Sequence, residues 1–152
     1  MIMARAPKDY SGELSCSDSI LTYRSDAVDW SIALSDIKLM AEYTTAYGPW
    51  ADDYFLVFVT DPESGWYEAS FYATGRNEVV ATLEETLSAT IRLGLCNSTA
   101  WKSRIIWPLH LADKVLIDLV PHKTAFGRFR QKRLGAPVEW VLSDAAKSVF
   151  RE

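Results

Sequence analysis

Two glutamates are the first candidates for chemistry. Glu42 and Glu68 fall in alternating stretches whose same-side neighbours include Met40, Trp66 and Tyr72. A carboxylate set among apolar and aromatic side chains loses hydration, which raises its pKa toward the range useful to a general acid. The bland reading is that these faces meet water, or that Glu42 pairs with Lys38 and Glu68 with an arginine. Other chemistries have thinner support. The only histidines are His110 and His122, and the only cysteines, Cys16 and Cys96, lack CxxC spacing. Zinc and iron sites need several His, Cys or carboxylate ligands at close spacing. Asp52-Asp53 with Glu42 could hold a hard cation, although paired acids before a strand are ordinarily just solvated. There is no G-x-S-x-G elbow, no GxGxxG and no Walker pattern. The motifs therefore point to no catalytic residue, no metal and no cofactor, and the balance leans away from an enzyme.

The aromatic residues stand out more. The chain has 6 Trp, 7 Tyr and 6 Phe, and some of them must build the core. Phe55, Phe58, Phe71 and Trp30 are easily placed inside. Tyr47, Trp50, Trp66 and Tyr67 lie in or beside the loops 46–53 and 61–65, where burial is harder. Tyr and Trp at loop tips suit recognition, because each buries a large area at low entropic cost. The alternative is that loop 46–53 folds back over one end of the sheet.

Charge is unevenly spread. Residues 1–121 carry a net −8, residues 122–133 carry +5 and the rest −1. The basic run sets Phe126 and Phe129 among Lys123, Arg128, Arg130, Lys132 and Arg133. Such a run can stack bases and hold phosphates, dock an acidic partner or the chain's own acidic body, or form a solvated loop pinned by its phenylalanines. An acidic body argues against general nucleic-acid binding.

The elements that must position these residues follow from periodicity. Residues 1–17 are polar and aperiodic and read as a loosely held arm, with one α+β domain over 18–152. Alternation predicts strands at 19–24, 30–34 and 37–44, an apolar central strand at 54–59, and a return strand at 66–72 after the loop Asp61-Pro62-Glu63-Ser64-Gly65. Residues 19–73 thus form a bent antiparallel meander of about five strands. Val80, Leu83, Leu87 and Ile91 mark an amphipathic helix over 78–93, with Asn77 as N-cap and Gly94 beyond its end. Short strands at 104–107, 114–120 and 138–142 follow. Ser143 caps a last helix, 144–150. The longest apolar run, Tyr54 to Val59, is too short to span a bilayer, and the N-terminus lacks a signal peptide's apolar stretch, so the cytoplasm is the expected compartment.

A bent antiparallel meander followed by an amphipathic helix resembles the pleckstrin-homology-like superfold in element order, over residues 19–93. The resemblance implies a barrel, here with a C-terminal extension, and carries over no functional residue.

The functional expectation is a protein-interaction or self-association module. Its binding residues are Tyr47, Trp50, Trp66, Tyr67, Arg128, Arg130, Lys132 and Arg133, and its partner is another protein or a second copy. The alternative is a small-molecule or enzymatic domain using Glu42 or Glu68 in a pocket between sheet and helix. Nucleic-acid contact through 123–133 ranks third.

Overall fold

The computed structural model of the chain describes residues 11–46, 52–95, 100–121 and 138–151. Strands β1 (Glu13–Ser17), β2 (Ile20–Arg24) and β3 (Asp29–Ala33) form an antiparallel sheet in sequence order. Strands β4 (Leu39–Thr44), β5 (Tyr54–Val59), β6 (Trp66–Ser70) and β7 (Lys102–Trp107) form a second sheet, ordered β6-β5-β4-β7 and antiparallel throughout. Strands β8 (Ile117–Pro121) and β9 (Val138–Leu142) make a separate hairpin. Helix α1 (Arg76–Leu87) joins β6 to β7, and α2 (Asp144–Lys147) follows β9 and runs into a 3-10 turn, Ser148–Phe150.

The second sheet is a wall between two cores. Side chains alternate across a strand, so β4 and β5 send Met40, Leu56 and Phe58 to one face and Leu39, Tyr43, Val57 and Val59 to the other. On the first face they join Leu14, Leu21 and Ile32 of the first sheet and Val79 and Leu83 of α1 in one buried cluster. On the second they join Leu116, Ile117, Trp140, Leu142 and Ala146. Burial on both faces explains why Tyr54-Phe55-Leu56-Val57-Phe58-Val59 is apolar without alternation.

The α+β class and the five strands of the expected meander are present. The meander divides after Ala33, however, where Leu34–Asp36 form a 3-10 turn and the next strand enters the second sheet. No barrel closes among the described residues, so the pleckstrin-homology-like closure is not found. Residues 13–17, expected to belong to the arm, form a strand. Leu14 is 1% exposed, and its alternation with Glu13 and Ser15 makes 13–17 a strand.

The first helix differs at both ends. It begins at Arg76, so Asn77 is an interior residue. Its N-cap is Gly75, at φ 84°. A Cβ at Gly75 would lie 2.1 Å from the Leu14 carbonyl oxygen, so the close packing of α1 on β1 requires glycine there. The helix stops at Leu87, with Ser88 in the left-handed conformation at φ 52°. Ile91 and Gly94 therefore lie in the following loop. Ile91 is still buried in the first cluster, which is why it kept the helical spacing. The strand expected from 114 begins at Ile117. Lys114 instead accepts from the Ile105 N–H at 2.8 Å, along the edge of β7. Ser143 caps α2 as expected, its side chain accepting from the Ala146 N–H.

Candidate functional site

Glu42 sits mid-strand in β4 and is fully buried. Its carboxylate accepts from the Tyr54 hydroxyl, the Gly94 N–H (2.9 Å), the Leu95 N–H (3.1 Å) and the Arg104 guanidinium. Arg104 in turn donates to the Arg92 carbonyl and to Asp113 at 2.6 Å. Burial lowers the guanidinium's pKa, but hydrogen bonds and charge from Asp113 and Glu42 outweigh it and leave it raised. Four donors saturate the Glu42 oxygens. Glu42 therefore ties the loop 91–95 to the sheet and does not offer an acid to a substrate. Its partner is Arg104, not Lys38.

Glu68 lies two strands away, in β6, and on the other face. The register pairs Glu42 with Leu56 and Glu68 with Val57, adjacent residues of β5 that point oppositely. The two glutamates thus cannot act as a pair. Glu68 accepts at Oε2 from the Tyr43 hydroxyl (2.8 Å) and from the Trp66 indole N–H (3.0 Å).

Strand β6 is an edge of its sheet, and this edge is where a cavity forms. The Phe71 N–H donates to the Tyr54 carbonyl at 2.9 Å. By the alternation of an antiparallel ladder, Trp66, Glu68 and Ser70 then turn their backbone groups outward. The first sheet meets them there. The Trp30 indole N–H donates to the Glu68 carbonyl at 3.0 Å. Burial pushes the Tyr23 hydroxyl's pKa up, opposed by hydrogen bonds from the Ser70 backbone and the Ser25 side chain. Tyr23 also donates to the Ser11 carbonyl at 2.7 Å. The open edge is thus capped by polar-tipped aromatic side chains.

Between this capped edge and the β2–β3 turn is a pocket of about 300 Å³. Tyr23, Trp30, Phe55, Trp66 and Tyr67 line it. So do the turn residues Ser25 to Val28, with Asp52, Glu68 and Ser70. The rings brace one another, with Trp30 5.4 Å from Tyr67 and 5.8 Å from Tyr23 between centroids. The turn is braced too, since the Ala27 and Val28 N–H groups both donate to the Ser25 Oγ.

Of the expected binding residues, the structure brings Trp66 and Tyr67 together in this pocket, both half-buried. Tyr47, Trp50, Arg128, Arg130, Lys132 and Arg133 lie outside the described residues, as do Cys96 and His122. The pocket lies at the rim of the sheet, not between sheet and helix. Trp30 and Phe55, expected in the core, do pack against the two cores and also reach the pocket, whereas Tyr23 and Asp26 carried no expectation of binding. The available signal was position. Trp30 is the second residue of its strand, next to a polar turn, and a ring there sits at the rim. Cys16 is half-buried, and burial raises its thiol pKa. Among the described residues, no three His, Cys, Asp or Glu side chains are grouped to hold a metal ion, and no helix is long and apolar enough to cross a membrane.

Compared with known protein families, curated proteins and solved structures, the chain matches none of them.

Proposed function

We propose that this chain is a non-enzymatic binding module that recognises a partner protein by accepting one of its side chains into the pocket beside β6. The pocket itself carries this reading: five aromatic residues, from both sides of the β6 edge, line one small concavity. Its volume is at the lower end of ligand sites, which run from about 300 to about 1,000 Å³. That size suits one side chain better than an extended ligand. The capped edge points the same way. With the Glu68 carbonyl already accepting from Trp30, a partner strand finds no open ladder at β6. The saturated state of Glu42, and its position on the opposite face from Glu68, weigh against acid–base catalysis by these two residues.

The test is selection of peptide ligands from a random display library, followed by binding to Tyr67→Ala and Asp26→Lys variants. Asp26 lies on an exposed turn, so its substitution alters the pocket mouth without touching a core. Ligands that lose binding to both variants, while both keep the wild-type circular dichroism, support the reading. Ligands that bind both variants as they bind the wild type overturn it.

A further inference from the structure

The charge of the pocket narrows the class of side chain. Asp26, Asp52 and Glu68 line it, and among the described residues none of its lining is Lys, Arg or His. A small cavity with aromatic residues and, among the described residues, only acidic charge attracts cations in two ways. The ring faces attract through their quadrupole, and the carboxylates attract directly. The walls are also set in advance. The Trp30 and Trp66 indole N–H groups are both held by Glu68, at its carbonyl and its carboxylate. Their rings therefore need little ordering when a guest arrives. We infer that the guest is a basic side chain, arginine or lysine, of a partner protein. This rests on the proposed function and adds the chemistry of the ligand to it. Arginine fits best, because its planar guanidinium stacks on aromatic faces while donating to carboxylates at its rim.

The experiment follows the indole N–H resonances of Trp30 and Trp66 in proton–nitrogen spectra of the full chain. The probes are acetyl-Gly-Arg-Gly-amide, the same peptide with lysine, with citrulline and with norleucine, and free arginine. The expected result is saturable movement of both indole signals with the arginine peptide. Citrulline keeps the shape but loses the charge, and is expected to bind at least roughly tenfold more weakly. Asp26→Asn is expected to weaken arginine binding several-fold and reduce its dependence on salt. Citrulline or norleucine binding as well as arginine would overturn the cationic assignment and leave the side-chain pocket standing. Free arginine binding as tightly as the peptide would overturn the assignment to a protein-borne side chain. Indole signals that none of these probes moves would overturn the basic-side-chain assignment, whereas the proposed function stands or falls by the library selection.

Discussion

The indole N–H of Trp30 donates to the backbone carbonyl of Glu68 at 3.0 Å, across the gap between two sheets that share no strand pairing. One hydrogen bond thus joins the first sheet to the edge of the second and fixes a wall of the pocket. Trp30→Phe keeps most of the ring and removes the donor. The expected loss is about 1 kcal/mol, from the unmade bond at a half-buried carbonyl. Urea unfolding measures it, and an unchanged midpoint would show that the bond is not formed in solution.

Glu42 and Arg104 make an asymmetric pair. Glu42 is completely buried, whereas the Arg104 side chain keeps 19% of its surface exposed. Glu42→Ala leaves a buried hydroxyl, two backbone N–H groups and a guanidinium without their acceptor, and is expected to cost about 3–5 kcal/mol. Arg104→Gln leaves Glu42 with three donors and is expected to cost clearly less. Denaturant midpoints of the two variants decide this, and equal losses would mean that the ion pair alone matters.

Gly75 combines a positive φ with a backbone contact that a methyl group cannot share. Gly75→Ala must push α1 away from Leu14 or strain the N-cap. Of the ordinary mechanisms of large destabilisation, backbone strain and overpacking both apply, so a loss of at least about 2 kcal/mol is expected. Thermal unfolding checks it, and a melting temperature within about 2 °C of wild type would refute the close approach.

Asp61 gives the chain an acid-sensitive turn. The Ser64 and Glu63 backbone N–H groups donate to its carboxylate, each at 2.8 Å, and hold its pKa below the usual aspartate range. The unfolded chain, with an ordinary value near about 3.9, then binds more protons than the folded one in acid. The stability this contributes is present above that ordinary value and is lost as pH falls through the lower folded one. Asp61→Asn is expected to flatten that part of the pH profile. Unfolding midpoints between about pH 5 and about pH 2 measure it, and identical slopes in variant and wild type would remove Asp61 as a source.

Much of this architecture is legible in the residues. Alternation located β2, β3, β4 and β6, and an unbroken apolar run located β5, whose two faces are both buried. Ser143 and Asp144 marked α2, since a cap is a local device. Non-local facts were not legible. Ile91 continued the helical stripe although the chain had already left the helix at Ser88, because the same apolar cluster buries both. Glu42 gave no local hint that Tyr54, Gly94, Leu95 and Arg104 would surround it, since these partners stand between 12 and 62 positions away. Trp66 and Tyr67, singled out by the loop beside them, both line the pocket. Trp30 and Tyr23, which complete the pocket, come from another sheet, and nothing in their own segments shows that the two sheets meet.

The wall formed by β4 and β5 bears on how the molecule comes apart. Leu39 and Met40 are neighbours in sequence, yet each anchors a different core. Either core can loosen at its outer elements while these strands hold, but neither survives once they separate. Amide protons of β4 and β5 should therefore exchange with solvent only through global opening and set the slowest rates in the protein, while α1 and the β8–β9 hairpin are free to loosen by themselves.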